Sequence, residues 1–294
     1  MKPRKRRLKY ITVLPAFVTL MNGACGFISI FFASLNRELR WSLFFRAGFD
    51  VSSFTLSGYM IILAMIADML DGRLARLTRT TSSFGGQLDS LTDVISFGVA
   101  PAFLMLKLIE TYLDSMEFEN LRFSLLIERS IFFSAILYAM CAVVRLARFN
   151  VENEEDEAAH MNFAGLPSPA AAGVVVSFVV LHEHFWGGIG DVPVYANLGI
   201  ITVSVLPLIT FLVSLLMVSR IRYPHLTNQL LRGKKTLAAL LTIFACGLLI
   251  VWNIHIAMVF GFCGYVLFGL FRWVIVSLIK KLPSKRKAAT EDIQ

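Results

Sequence analysis

The sequence predicts an all-α integral membrane protein, a polytopic bundle of about eight transmembrane helices, and three observations support this fold class. Of the 294 residues, 56% are hydrophobic and only 16% are charged, which is typical of polytopic membrane proteins. The hydrophobic residues form runs long enough for a helix to cross the hydrocarbon core of a bilayer. Lys and Arg residues cluster at the ends of these runs, so the net charge of +8 reflects membrane topology and no nucleic-acid partner is expected.

The chain begins with a basic segment, residues 1–12, which we expect to be a cytoplasmic tail. Eight apolar runs follow, and we predict a spanning helix at each of them: 13–35, 53–72, 94–112, 130–149, 168–186, 198–219, 236–252 and 255–279. The first run is too long for the apolar part of a signal peptide. Asn253 and His255 indicate a tight turn between the last two runs. With a second tail at 281–294, we expect a single membrane-embedded domain over 1–294.

An even number of spans places both termini on the same side of the membrane, and the charged residues indicate which side. The segments on the side of the basic tail carry most of the remaining cations: Arg73, Arg76, Arg79, Arg145, Arg148, Arg220, Arg222, Arg232, Lys234, Lys235, Lys285, Arg286 and Lys287. The opposite loops carry far fewer: Arg37, Arg40, Arg46, Arg122 and Arg129. Because loops rich in Lys and Arg stay in the cytoplasm, we expect both termini to be cytoplasmic.

Four aspartates occur where the second and third apolar runs meet the predicted cytoplasmic side. Asp68 and Asp71 end the second run, and Asp89 and Asp93 precede the third. On a helix with about 100° per residue, residues three or four apart share a face, so each pair lies on one helix face. We therefore expect the four carboxylates to lie close together.

Such a cluster requires a compensating cation. A single Asp at the centre of a membrane helix costs roughly 2.5–3.5 kcal/mol on insertion scales, and neighbouring carboxylates repel one another. A site with only oxygen ligands favours Mg²⁺, Mn²⁺ or Ca²⁺ over zinc. Gly72 and Ala75 share the face of the first pair, and Gly85 shares that of the second; such small residues let a bulky ligand approach the backbone.

Two other interpretations of the cluster remain open. The aspartates would be solvated helix caps and loop residues if they all lay well into water. Alternatively, intramembrane carboxylates often mark the ion path of a cation channel or transporter. Transport sites usually lie near the membrane midplane, whereas these aspartates gather at one end of the runs, which argues against a transporter.

The spacing of these residues resembles the signature of the CDP-alcohol phosphotransferases, integral membrane enzymes of phospholipid synthesis. The pattern is D-x2-D-G-x2-A-R-x8-G-x3-D-x3-D, and its members here are Asp68, Asp71, Gly72, Ala75, Arg76, Gly85, Asp89 and Asp93. The resemblance implies that the four aspartates bind two divalent metal ions, either Mg²⁺ or Mn²⁺. It also implies that Asp93 is the general base. The other four residues would line the CDP site.

Motifs outside the signature resemble the phosphatidylserine synthase branch of this family. They lie at 96–101, 145–150, 165–169 and 219–224. The resemblance implies transfer of the phosphatidyl group from CDP-diacylglycerol to L-serine, which releases CMP. Arg145, Arg148 and Asn150 would bind the acceptor, with the arginines paired to the serine carboxylate. Positive-inside anchoring is the alternative explanation of the two arginines.

The first run carries two polar side chains on one face, Thr19 and Asn22, and the resemblance implies that they contact CDP. A helix start with two tolerated polar residues is the alternative. One departure from the branch is Ala16, where the branch usually has Asn after the proline.

The signature indicates a reaction type but not the acceptor. Glycerol 3-phosphate, inositol phosphate and choline remain alternatives to serine. The family resemblance also suggests a homodimer in the cell (inner) membrane, surrounded by membrane lipids, with its active site on the cytoplasmic side, where a soluble nucleotide is available.

Overall fold

The computed structural model describes residues 13–35, 52–78, 83–114, 121–155, 165–185, 193–221, 223 and 253–281. This part of the chain is almost entirely helical and contains no strand. Its α-helices are α1 Val13–Ser34, α2 Ser53–Thr78, α3 Ser83–Asp93, α4 Ala100–Asp114, α5 Leu121–Glu155, α6 Ser168–Phe185, α7 Pro193–Val218 and α8 Ile254–Lys281. A π-helix, Val94–Val99, joins α3 to α4.

Within the described ranges, seven helical runs are long and apolar enough to cross a membrane. They are Ala16–Ser34, Ser53–Leu74, Phe84–Leu113, Leu125–Val151, Ser168–Phe185, Ile201–Val218 and Ile254–Leu278. The predicted all-α, multi-pass membrane fold is therefore confirmed. The run predicted at 236–252 lies outside the described residues, so the eighth span and the common side of the termini stay predictions.

The helices extend beyond the predicted apolar runs, chiefly at ends that carry charged residues. α2 continues to Thr78, past the predicted end at 72, and the helix that contains the third span begins at Ser83 instead of 94. Hydropathy marks the part of a helix at hydrocarbon depth, whereas backbone hydrogen bonding continues into the polar interface. All four signature aspartates consequently lie on helices.

Pairwise packing assembles the bundle. α1 packs most extensively against α2, α5 against α7, and α6 against α8. α6 has a central position, because it also contacts α2, α4 and α7, and most of its side chains are buried. Large apolar residues on the outer helices are exposed, such as Phe260 and Phe271 on α8. In a bilayer these side chains would face lipid, where their exposure carries no hydrophobic penalty.

Two glycines of α1 allow this helix to lie close to α3 and to the π-helix that follows α3. A Cβ atom on Gly23 would lie 2.8 Å from Thr92 Cγ2. On Gly26 it would lie 2.5 Å from Ser96 Oγ and 2.8 Å from Ser96 Cα. Any side chain at these positions would force the helices apart. The glycines thus bring the polar face of α1 against the end of α3.

The π-helix begins directly after Asp93. Pro101 follows it and has no backbone N–H with which to continue the α-helical hydrogen-bond pattern back to Phe97. The Tyr138 hydroxyl of α5 donates instead to the Phe97 carbonyl at 3.0 Å. π-helical turns frequently occur beside functional sites, because they shift the direction in which neighbouring side chains point.

Candidate active site

Three signature carboxylates from two helices converge. Asp68 lies on α2, and Asp89 and Asp93 lie one turn apart on α3. One carboxylate oxygen of each lies within 4.8 Å of those of the other two. Three negative charges this close repel one another strongly, so the arrangement favours a bound cation. The ligand set consists of oxygen atoms alone, which suits Mg²⁺ or Mn²⁺.

The fourth aspartate, Asp71, lies beside this group and is held by α1. The Thr19 hydroxyl donates a hydrogen bond to Asp71 Oδ2. Asp71 is only 7% exposed, and its charge interacts with those of Asp68 and Asp89. All four carboxylates were predicted to lie close together. Three of them converge closely, and the fourth, Asp71, interacts electrostatically with Asp68 and Asp89.

Asp93 is positioned by a second residue of α1. Asn22 Nδ2 donates to Asp93 Oδ1 at 2.8 Å, and the Asn22 carbonyl accepts a hydrogen bond from Ser96 Oγ at 2.8 Å. All three residues are buried. The family resemblance implies that Thr19 and Asn22 contact CDP, and this role stays a prediction; their contacts with the carboxylates were not predicted.

The other signature residues lie on the same two helices. Gly72 is exposed, and a Cβ atom there would meet nothing within 4 Å, so the face of α2 beside Asp71 is open. Gly85 lies in the first turn of α3 and is half-buried. Ala75 and Arg76 belong to the helical backbone of α2, and their side chains lie outside the described part of the structure. Their role in binding CDP stays a prediction.

Arg145 of α5 brings positive charge to the cluster. Its guanidinium interacts electrostatically with Asp93 and Asp68, and its Nη1 donates to Ser168 Oγ at 2.7 Å. Its Nε–H is buried and has no hydrogen-bond partner among the described residues. A half-buried cation reduces the cost of the neighbouring acids, and its buried Nε–H donor is suited to an anionic ligand.

The other two predicted acceptor residues have different surroundings. Arg148, one turn after Arg145, is exposed. Asn150 Oδ1 accepts a hydrogen bond from Ser90 Oγ at 2.9 Å, which ties α5 to α3. The sequence pattern of two arginines three residues apart gives no means of telling which one faces the interior.

Several polar residues around the site are not among the predicted site residues, including Ser96, Tyr138 and Ser168. Ser96 and Ser168 belong to the motifs at 96–101 and 165–169 that resemble the phosphatidylserine synthase branch, but the resemblance gives neither of them a role, and Tyr138 lies inside an apolar run. The available signal was that hydroxyl groups inside membrane helices need hydrogen-bond partners, since lipid offers none. That signal identifies candidates without naming their partners.

Comparisons with known proteins identify the family. The sequence profile of the CDP-alcohol phosphatidyltransferase family matches residues 12–206, which contain every signature residue. The chain is 32% identical to the CDP-diacylglycerol–serine O-phosphatidyltransferase of Helicobacter pylori strain J99, over 84% of this chain and 90% of that protein.

Two archaeal proteins are also similar. The identity is 30% to the CDP-diacylglycerol–serine O-phosphatidyltransferase of Methanocaldococcus jannaschii, over 76% of this chain and 79% of that protein. It is 28% to the archaetidylserine synthase of Methanothermobacter thermautotrophicus, over 76% and 75%. The family resemblance inferred from the signature is thus confirmed, and the chain belongs to the CDP-alcohol phosphatidyltransferase family.

Proposed function

We propose that the protein transfers the phosphatidyl group of CDP-diacylglycerol to the hydroxyl of L-serine, giving phosphatidylserine and CMP. The observation that carries this proposal is the convergence of Asp68, Asp89 and Asp93 at signature positions of a family named for this transfer. Serine as the acceptor is supported by relatives whose names specify it. The half-buried Arg145 beside the acids also suits an acceptor that carries a carboxylate.

The acidic residues fit a divalent metal, and we propose two ions of Mg²⁺ or Mn²⁺. Asp68, Asp71, Asp89 and Asp93 would bind these ions. One carboxylate oxygen of Asp71 accepts a hydrogen bond from Thr19, which fixes the position of that carboxylate. When bound, the ions would neutralise the diphosphate and stabilise the leaving CMP.

Asp93 is the general base in this proposal. Because Asn22 occupies Oδ1, Oδ2 is the oxygen that accepts the proton of the serine hydroxyl. The serine oxygen then forms a bond to the phosphorus that bears the diacylglycerol. The bond from that phosphorus to the CMP oxygen breaks, and CMP leaves with the electron pair. This direct displacement needs no covalent enzyme intermediate.

The two substrates would approach from different sides. Gly72, Ala75, Arg76 and Gly85 line the CDP site, and the open face at Gly72 gives the nucleotide room beside the acids. Arg145 binds the serine carboxylate from the side of α5. The exposed Arg148 and the half-buried Asn150 would lie at the rim of this acceptor site.

The surroundings of the site follow from the charge pattern. Arg73 lies at the same end of α2 as the acids, so positive-inside topology supports a cytoplasmic active site in the cell (inner) membrane. Residues 1–294 would form a single domain, and family resemblance favours a homodimer.

The direct test is CMP release by the purified protein in lipid vesicles that contain CDP-diacylglycerol and Mg²⁺ or Mn²⁺. Isotope-labelled L-serine, glycerol 3-phosphate, inositol phosphate and choline are supplied separately as acceptors. We expect CMP release and lipid labelling with serine alone. Labelling by another headgroup would identify a different acceptor, and metal-ion flux without CMP release would support a transporter instead.

A further inference from the structure

Tyr223 lies just after α7 and has a buried hydroxyl without an explanation in the proposed function. The residue is 7% exposed, and its hydroxyl has no hydrogen-bond partner among the described residues. Its ring packs against that of Tyr265 on α8, with the ring centroids 5.8 Å apart. Buried polar atoms are nearly always hydrogen-bonded, so an unpaired one indicates a ligand or a catalytic role.

The position of this hydroxyl is fixed by the backbone around it. A Cβ atom on Gly269 of α8 would lie 2.2 Å from Tyr223 Cδ1, so the ring lies directly on the α8 backbone. The segment before Tyr223 is anchored to the start of α6, because Gly165 N–H donates to the Ile221 carbonyl at 2.9 Å. Gly165 has a φ of +95°, a conformation that favours glycine. The hydroxyl is therefore held in place, not carried by a loose side chain.

Tyr265 connects this hydroxyl to the acidic site. It interacts electrostatically with both Tyr223 and Arg145. Arg145 Nε–H is the second buried donor of this region that has no partner among the described residues, and Ser168 Oγ holds the Nη1 of the same guanidinium. Both residues with an unpaired group thus interact electrostatically with Tyr265, and Arg145 interacts in the same way with Asp68 and Asp93.

The Tyr223 hydroxyl is suited to donate a hydrogen bond at neutral pH. Burial, and next the neighbouring Tyr265, raises the pKa of Tyr223 to about 12, and the residue lies beyond the candidate span Ile201–Val218. The hydroxyl consequently stays protonated throughout the physiological range. A protonated hydroxyl and a guanidinium N–H together suit an anionic oxygen ligand.

We propose that Tyr223 and Arg145, both of which interact with Tyr265, form the subsite for the carboxylate of the amino-acid acceptor, and that Tyr223 selects acceptors that carry this carboxylate. This inference rests on the proposed function and adds a specificity-determining residue to it. The phosphates of the CDP-lipid offer the same anionic oxygens, so the experiment has to separate the two substrates.

The test compares Tyr223→Phe, which removes the hydroxyl and keeps the ring, with the wild-type enzyme. The acceptors are L-serine and serinol, in which a hydroxymethyl group replaces the carboxylate. We expect the KM for serine to rise about tenfold and the preference for serine over serinol to fall about tenfold, the size expected for one lost hydrogen bond to a charged group. The KM for CDP-diacylglycerol should stay unchanged.

Tyr59→Phe is the matched control. The Tyr59 hydroxyl lies 2.8 Å from His255 Nε2. Tyr59 itself lies on α2, about two and a half helical turns before Asp68. This variant should keep the wild-type KM for serine and the wild-type preference over serinol. If Tyr223→Phe does not yield folded protein, Tyr265→Phe takes its place, because it removes the hydroxyl of the residue that interacts with both Tyr223 and Arg145.

The outcomes are distinct. An unchanged KM for serine with an unchanged preference would overturn the subsite while leaving the proposed function intact. A raised KM for CDP-diacylglycerol alone would assign the hydroxyl to a phosphate and also contradict the proposal. If the wild-type enzyme releases no CMP with serine, the proposed function itself fails.

Discussion

Asp93 differs from Asp68 and Asp89 in how it is held. Asn22 donates to one of its carboxylate oxygens, and Ser96 fixes the carbonyl of that asparagine. A metal ligand needs only a converging oxygen, whereas a general base needs an oxygen held at a defined position toward its substrate. This network supports the assignment of the proton transfer to Asp93.

We expect Asp93→Asn to lower kcat for serine-dependent CMP release by about 10²–10⁴-fold, the usual contribution of a general base. The substitution keeps the size of the side chain but removes the proton acceptor. Binding of CDP-diacylglycerol, measured by equilibrium titration, should change only slightly, because Asp68 and Asp89 remain. Lost lipid binding with residual turnover would contradict the assignment.

The two arginines of α5 should differ in their effect on the acceptor. Arg145→Ala should raise the KM for serine by about 10-fold or more, because it removes a charged donor from beside the acids. Arg148→Ala should raise it less, since Arg148 is exposed. Steady-state kinetics with varied serine provides the comparison. The reverse order would mean that the carboxylate binds elsewhere.

At the residue scale, the sequence could predict what helical periodicity determines. Asp89 and Asp93 share a face because they lie four residues apart, and the complete signature indicated that Asp68 would meet them. The contacts of Thr19 and Asn22 with the acids depend on how closely α1 approaches, which no spacing within α1 reveals.

At the scale of helices, the contact between α1 and the π-helix positions the acids. Gly26 brings the α1 backbone within van der Waals distance of Ser96. That distance allows Asn22, one turn earlier, to reach Asp93. The account therefore makes an apparently unremarkable glycine important for activity.

Gly26→Ala should destabilise the protein by about 1–3 kcal/mol, the usual cost of overpacking, and should lower CMP release. The new methyl group would lie 2.8 Å from Ser96 Cα, a backbone atom that cannot rotate away. Gly264→Ala on α8 is the matched control, because a Cβ atom there meets nothing within 4 Å. Thermal unfolding in detergent and an activity assay provide the readouts. Equal stability of the two variants would contradict the close approach.

The sequence predicted that the spanning helices exist, but it predicted their first and last residues less well. Apolar runs predicted every described spanning helix, because their length matches the thickness of a bilayer. The π-helix was not predictable, since it accompanies the missing N–H of Pro101 and the donation from Tyr138 to Phe97, a tertiary contact. The helical spacing of Gly85, Asp89 and Asp93 predicted a helix before the third apolar run, and α3 confirms it, although hydropathy alone does not reach these polar residues.

For the whole molecule, a membrane bundle places its acids at one end of two spanning helices. In the proposed function, the apolar exterior faces lipid, the phosphatidyl substrate enters from the bilayer, and CDP and serine contact the polar end. Membership of the family followed from an eight-position signature, whereas the proposed acceptor site depends on tertiary neighbours of Arg145 that lie far apart in sequence.

Removal of divalent metal should abolish CMP release, and Mg²⁺ or Mn²⁺ should restore it. The folded protein should also melt at a higher temperature with metal than with a chelator, because an ion that binds only the folded state stabilises it by mass action. Differential scanning fluorimetry in detergent checks this expectation. In Asp89→Asn the increase should be reduced. Full activity in the presence of excess chelator would exclude the metal-dependent account.

The central claim is that Asp68, Asp89 and Asp93 together bind a divalent ion. Titration of Mn²⁺ into purified protein, followed by electron paramagnetic resonance, measures this binding without relying on turnover. The account predicts saturable binding by the wild-type protein, at least tenfold weaker binding after any single Asp→Asn substitution among the three, and unchanged binding in Tyr59→Phe. Equal Mn²⁺ affinity in the wild type and in the triple Asp→Asn variant would contradict it.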